Sequence, residues 1–559
     1  MQTPYPLTEP AAERVELYVR TYRTLLRSAG ETRLRTLERP HADMISSLHS
    51  GAGSERPDTG ALIYAMQRLP AVIAGVRLVV MGQSTEAVSA ALGEDVPAWQ
   101  PVTAPGRRRR WLWDGHERIA VLVASETDVD DLIPTLVAYQ IEWNKLHLRL
   151  RGLDLTRDLR GLWRQLDVTE ADWLHLLEIG GEGARRWLEA VAAGEKDFWV
   201  RMVGGTHVGY ARAVRRWWQP VVAHLRAEGL EGCPIYFISS NTHSLANLVS
   251  GVAARFEREI IDFVERENHP ELAPELRKLR TGASRASWAN FLYYGARHFF
   301  GAYPHLQPVR AELEREAGIT YLEPESALDV AVQVLPLNRL DPARMDARLG
   351  TVDERRLRAS PAVIVNIDYP LGLAAYRVLR VISEDIEHLA GVYVLGKAAT
   401  LNASVGDVMV SNAVHDEHTG NTYWLDNCFS AEDVAPFLVF GSALDGQRAV
   451  SVLGTFLQNR GHLERYYRET YTVVEMEAGP YLSAVYEATH PTRHPVHEHV
   501  NLARLPFDLG ILHYASDTPY TQARTLGARG LSYRGMDSTY AGAVAILRRI
   551  LQREGALHG

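Results

Sequence analysis

The sequence predicts an α/β protein. A three-layer domain with a mixed central sheet is expected over residues 321–559, preceded over residues 1–320 by a helix-rich region with a small α/β element. Three observations predict this. Short apolar runs in the C-terminal part stop at glycines or carboxylates, as strands buried in a sheet do. An amphipathic stretch over residues 541–551 supplies a closing helix. In the N-terminal part, apolar residues recur mostly at helical spacing, and residues 11–28 set the pattern.

Length and composition bound the rest. With 559 residues, at least two domains are expected. Apolar content of 46% and charged content of 23% are ordinary for a globular chain. A formal net charge of −8 argues against a general nucleic-acid binder. The two cysteines, Cys233 and Cys428, exclude a disulfide framework and point to a reducing compartment. The start of the chain has no charged segment followed by an apolar core, and no apolar run reaches membrane-spanning length. A cytoplasmic protein without a membrane or nucleic-acid partner is therefore expected.

The N-terminal elements follow in order. Residues 1–105 read as mostly helical, interrupted by a Ser- and Gly-rich loop over 46–58. Arg107 to Arg110 precede Trp111; they form either a solvated loop or strand start, or a contact to an anionic ligand. Residues 119–125 predict a strand. A helix then begins at Glu126 with acids in its first turn, where the helix dipole favours them. Residues 150–232 read as helical. Residues 234–244 read as strand, polar turn and helix, and Ser239 to Ser244 either cap that helix or cradle an anion. Helices follow over 251–315, strands at 318–323 and 327–335, and a charged surface excursion over 339–360.

The chemistry concentrates further on. A buried strand over 361–368 ends in a turn at Gly372. A second strand leads through Gly396 and Lys397, and Val405-Gly406-Asp407 opens a third. The run from Thr472 ends in Glu475-Met476-Glu477, and the run from Ile511 ends in Ser516-Asp517. In open α/β sheets, ligands sit beyond the carboxyl ends of strands. Two carboxylates around a thioether suit a sugar: acceptors for its hydroxyls and an apolar atom for its ring face. Regular alternation would put Glu475 and Glu477 on one strand face with Met476 opposite.

These pieces, in this order over about residues 327–551, resemble the nucleoside phosphorylase/nucleosidase superfamily, whose signatures are Val-Glu-Met-Glu and a later Ser-Asp. The resemblance implies the mixed sheet of that type and cleavage of an N-glycosidic bond in a nucleoside or nucleotide. It implies ribose ligands at Met476, Glu477 and Glu475, with Glu477 the ribose-hydroxyl ligand and, with Asp517, catalytic. Asp517 would protonate or hydrogen-bond the leaving base, a task that asks for a proton held near neutral pH. It implies a base pocket near Phe456, Ser516 and Arg529, and an anion site near Gly372, Gly396 and Lys397. The sequence departs from the family at Val394, where phosphorylases carry a phosphate-binding arginine. That departure favours hydrolysis over phosphorolysis and leaves a binding-only sensor, or a phosphorylase using Lys397, as alternatives.

Plainer roles compete at each position. Asp517 could be a helix N-cap. Lys397 could face solvent or pair with Asp407 or Glu475. Arg524 and Arg529 could be surface charges, and Gly372 and Gly396 could serve only tight turns. His490, His494, His497 and His499 lie among prolines without the spacing of a helical metal motif. His415-Asp416-Glu417-His418 reads as a polar turn. No metal and no cofactor are expected. The expected ligand is a small nucleoside or nucleotide, bound by a homo-oligomer. No family resemblance is read in residues 1–320.

Overall fold

The computed structural model of the protein describes residues 9–28, 30–156, 158–323, 327–518, 533 and 535–557. Two sheets organise them. The first contains β1 (Thr32–Arg33), β2 (Leu78–Gly82), β3 (Gln100–Ala104), β4 (Arg107–Trp113), β5 (Arg118–Leu122) and β6 (Trp199–Val203), in the order β1-β6-β2-β5-β4-β3. β2 runs parallel to β5 and β6, while β3, β4 and β5 form an antiparallel meander. The helix Glu126–Leu150 follows β5. Its start is fixed by Asp128, whose carboxylate accepts from the Ala124 and Ser125 amides at 2.8 and 3.2 Å. Its apolar residues, among them Leu132, Leu136 and Trp143, share one buried cluster with Val79 and Val121 of the sheet. This sheet is larger than the small α/β element expected. β2 and β6 fall in stretches read as helical, because a five-residue strand is too short to show a period of its own, and Arg201 interrupts the apolar run of β6.

The second sheet has eleven strands. They are β7 (Ile235–Ser240), β8 (Thr320–Leu322), β9 (Val332–Pro336), β10 (Val363–Asp368), β11 (Leu389–Thr400), β12 (Val408–Asp416), β13 (Asn421–Trp424), β14 (Ala443–Ser451), β15 (Val473–Glu475), β16 (His499–Asn501) and β17 (Asp508–Asp517). β7 is central: it lies parallel between β10 and β11, so the sheet draws in a strand from before residue 320. Alternation sorts side chains to the two faces. Tyr236, Ile238, Ile364, Tyr393 and Leu395 join a cluster with Tyr540, Val544 and Leu547 of the last helix, Gly535–Arg553. Phe237, Val365, Val392 and Val394 join the cluster containing Val378 and Ile382 of the helix Leu373–Asp385 and Leu482 of the helix Ala478–Thr489. Helices thus cover both faces, as expected.

The sheet is also partly a barrel, which the sequence reading did not anticipate. β17 pairs with both β11 and β12; β12 pairs with β14, β14 with β15, and β15 with the end of β11. The ring closes because β11 is long: its first half borders β7 and its last two residues border β15. The stretch around Gly396 is likewise no turn. β11 runs straight through Gly396 and Lys397 to Thr400, and Gly396 faces His513 of β17.

The two sheets meet along their strand ends. Arg108 of β4 makes an ion pair with Asp368 and donates to the Tyr369 carbonyl at 3.2 Å. Arg377 bonds Glu126 at 2.8 Å, the Leu373 amide donates to Thr127 Oγ1 at 3.0 Å, and Asn459 Nδ2 donates to the Met44 carbonyl at 2.7 Å. Among the described residues, no helix is long and apolar enough to cross a membrane.

Candidate functional site

β15 ends at Glu475, and the helix that follows starts at Ala478 with Pro480 in its first turn, where its missing N–H costs nothing. Glu475 serves that helix start. One carboxylate oxygen accepts from the Glu477 and Ala478 amides at 2.6 and 2.7 Å; the other bonds Ser451 Oγ. Glu477 lies outside the strand, at the helix N-cap with helical backbone angles, so strand alternation does not extend to it. Its Oε1 accepts from the Gly372 amide at 3.1 Å. Gly372 itself needs to be glycine: its φ is +52°, and a Cβ there would meet Thr127 Oγ1 at 2.6 Å. Burial raises both glutamates above the ordinary carboxylate range, and for Glu475 the neighbouring Glu477 charge adds to it.

Asp517 ends β17 behind a β-bulge. Ala398 pairs with Ala515 and Ala399 with Asp517, so Ser516 is the extra residue. The bulge lets both Ser516 and Asp517 line one cleft of about 510 Å³ with Lys397, Met476 and Glu477. Asp517 is 0% exposed. Its Oδ2 accepts from Ser516 Oγ at 2.6 Å, and its Oδ1 is buried with no partner among the described residues. Burial pushes its carboxyl up to about 7, against the lowering influence of Ser516, Lys397 and Arg68. Lys397 projects into the cleft, where solvent still reaches it. It makes no ion pair among the described residues: Asp407 accepts from the Ser404 and Ser442 amides, and Glu475 is engaged as above. Its ammonium is lowered to about 8, first by the surrounding protein and next by Arg68. Gly396 makes room for Tyr369, whose hydroxyl would collide with any Cβ there.

The N-terminal sheet supplies the opposite wall. The β3–β4 turn, held by the Gly106 amide on the Gln67 carbonyl at 2.6 Å, brings Arg107 and Arg108 to the cleft. Arg107 grips Asp131 through two nitrogens, at 3.1 and 2.7 Å. Arg109 bonds Asp128 at 2.9 Å and Asp131 at 2.8 Å. The four-arginine run is therefore strand, with its first three members ion-paired. Arg68 closes the helix Thr59–Arg68 and differs from them. It is 5% exposed and stacks 3.3 Å from the Tyr64 ring centroid. It donates to the Tyr64 carbonyl at 3.2 Å, and its Nε has no partner among the described residues.

Among the described residues, four in the lining carry buried polar atoms without partners: Arg68 Nε, Tyr369 Oη, Gln458 Oε1 and Asp517 Oδ1. Such atoms are costly unless a ligand or water meets them, and their gathering makes this cleft the candidate site. Arg68, Tyr369 and Gln458 were missed in the sequence, since each is an unremarkable polar residue until the fold places it. Phe456, placed by the sequence near the base, does not line the cleft. It packs with Leu48, Ala61 and Ala138, its ring 5.1 Å from that of Tyr64, while its neighbours Thr455 and Gln458 face the cleft. Val394 is buried in the apolar layer, a place with no room for a guanidinium. Arg524 and Arg529 lie outside the described residues. His418 bonds Asp416 at 2.8 Å, and among the described residues no cluster of three His, Cys, Asp or Glu side chains could hold a metal.

Comparison with known proteins gives three findings. A model described as a family of unknown function (DUF6909) matches residues 34–552. No curated protein matches the sequence. Among solved structures, the 5'-methylthioadenosine/S-adenosylhomocysteine nucleosidase of Neisseria meningitidis is 15% identical over 43% of this chain and 94% of its own, with a TM-score of 0.28. The corresponding nucleosidase of S. pneumoniae is 12% identical over 44% and 96%, TM-score 0.28. A methylthioadenosine phosphorylase from an antarctic soil metagenomic library is 8% identical over 42% and 78%, TM-score 0.27.

Proposed function

This chain belongs to the family of unknown function (DUF6909), and we propose that it cleaves the N-glycosidic bond of a nucleoside or nucleotide, with water as the acceptor. The observation that carries the reading is Asp517: a fully buried carboxyl, one oxygen of which has no partner among the described residues, raised to about 7, in the same cleft as Met476 and Glu477. A carboxyl that keeps its proton near neutral pH can give it to a departing base nitrogen. Met476 and Glu477 would hold the sugar, the thioether against its face and the carboxylate on its hydroxyls. As the bond between C1′ and the base nitrogen breaks, its electron pair leaves with the base and the Asp517 proton goes to that base. A water oxygen bonds C1′, and a water proton restores Asp517. Glu475, tied to the helix start, would position Glu477 through its backbone amide. The burial of Val394 supports water over phosphate as acceptor, since no arginine stands there.

The test is incubation of the protein with the common nucleosides and nucleotides, with and without inorganic phosphate, with released base and sugar read by chromatography. Free sugar in phosphate-free buffer is expected; strict dependence on phosphate would overturn the hydrolytic reading. One observation favours a binding-only sensor as second reading: the cleft wall is built from both sheets, so occupancy would be felt by the N-terminal region. Tight binding without base release from any substrate would select it.

A further inference from the structure

We infer that the cleft contains a phosphate subsite formed by Arg68 of the N-terminal region and Lys397 of the barrel, so that the ligand is a phosphate-bearing one. The inference rests on the glycosidic-cleavage reading for the ligand's other half, but its evidence is separate.

The charges of the cleft wall do not balance. Three arginines of the N-terminal wall approach two buried aspartates. Arg107 and Arg109 share Asp128 and Asp131 between them. Arg68 is left with a backbone carbonyl and the face of Tyr64. A guanidinium is always charged, and a buried, unpaired one is among the costliest groups a protein can hold. Stacking on Tyr64 recovers only part of that cost. The free Nε, 5% exposure and place on the cleft wall together describe a cation awaiting an anion.

Lys397 faces the same space from the opposite sheet, also without an ion pair among the described residues. Both side chains line the same cleft, and the Arg68 charge helps lower the Lys397 ammonium. Two like charges held close, with the Tyr369 hydroxyl also unpartnered in the cleft, call for a ligand with several acceptor oxygens and more than one negative charge. A single carboxylate would meet one of the cations; a phosphate dianion meets both. Lys397 and Asp517 also interact, which places this subsite beside the proposed acid. The phosphate could belong to the nucleotide itself or arrive as free inorganic phosphate, and the chemistry of recognition is common to both.

Calorimetric titration and thermal melting of the full chain test this, with inorganic phosphate, the four common ribonucleosides and their 5′-monophosphates as probes. Phosphate-bearing probes should raise the melting temperature more than the nucleosides do. Arg68→Met and Lys397→Met should each lower the ratio of nucleotide to nucleoside affinity by about tenfold or more, the scale of one charge-assisted contact. Ligand-free Arg68→Met should melt higher than the parent, because an uncompensated buried charge is gone. Lys397→Met, on a side chain that borders solvent, carries the test if Arg68→Met folds poorly. A response to nucleotides but not to inorganic phosphate assigns the group to the substrate; a response to inorganic phosphate, with faster base release, assigns it to a second reactant. Nucleosides binding as tightly as nucleotides with no response to inorganic phosphate, or affinities for phosphate and nucleotides unchanged in both variants, would overturn the subsite. Phosphate binding lost in both variants, with no base released from any substrate, would uphold it and sink the glycosidic reading instead.

Discussion

At the scale of single residues, the protonation of Asp517 sets two measurable quantities at once. Its carboxyl is raised to about 7 by burial, well above the ordinary aspartate value of 3.8. The folded state therefore holds a proton that the unfolded state has lost between those limits. Stability is greatest below the lower value and falls as pH rises toward about 7, by at most about 1.4 kcal/mol per pH unit from this group. Asp517→Asn should remove that slope and be more stable than the parent at pH 8, while losing base release by at least about a hundredfold. Urea unfolding of parent and variant across pH 4 to 8 checks the first part, and parallel curves would show that Asp517 titrates normally. Ser516 tunes the same proton, because its hydroxyl bond favours the ionised form. Ser516→Ala should move the alkaline limb of the kcat/KM profile to higher pH. Glu477→Gln exchanges a charge-assisted sugar contact for a neutral one and should weaken nucleoside binding by about 1–3 kcal/mol; unchanged affinity for every nucleoside probe would leave the carboxylate a structural role.

At the scale of elements, the site depends on how strands end. β15 stops at Glu475, and the helix after it takes that carboxylate as its cap, which turns Glu477 toward Gly372. Gly372→Ala would force a side chain into a left-handed backbone and against Thr127, so a loss of about 1–3 kcal/mol in stability is expected, with weaker sugar binding from the displaced amide. Thermal melts and nucleoside titration of this variant separate the two effects. The sequence showed these ends well where an apolar run met an acid, as at Glu475 and Asp517. It showed β2 and β6 poorly, because five residues are too few to show a period, and in β6 Arg201 breaks the apolar run. The bulge at Ser516 left no mark at all, since it is a property of pairing with β11. Arg68 was hidden for another reason: at the end of an ordinary helix it reads as a favourable dipole partner, and only the crowding of Asp128 and Asp131 by other arginines gives it meaning.

At the scale of the whole molecule, two sheets share one cleft. A bound nucleotide should therefore slow amide hydrogen exchange on both sides together: in the β3–β4 turn and the end of the helix Thr59–Arg68, and at the ends of β15 and β17. Exchange mass spectrometry with and without ligand reads this directly. Protection confined to the barrel strands would show that the N-terminal wall is a bystander. The shared wall also explains what a motif search along the chain leaves out. Nearly a third of the lining comes from residues 64–128, where no run of letters resembles a nucleoside site.

The position of β7 has a consequence during synthesis. β7 ends at Ser240, yet both of its neighbours come much later: β10 begins at Val363 and β11 at Leu389. A growing chain thus emerges with a strand of four apolar residues and two serines, Ile235–Ser240, whose two hydrogen-bonding edges stay open while more than a hundred further residues are made. Such edges are templates for wrong pairing. The charged helices made in the interval, from Ser244 to Glu316, are well placed to shield it, since Leu245, Leu248 and Ile260 already share a cluster with its side chains. The protein's yield in a cell should then respond to how fast ribosomes cross this interval, a dependence that a chain with its strands in simple sequential order would not share.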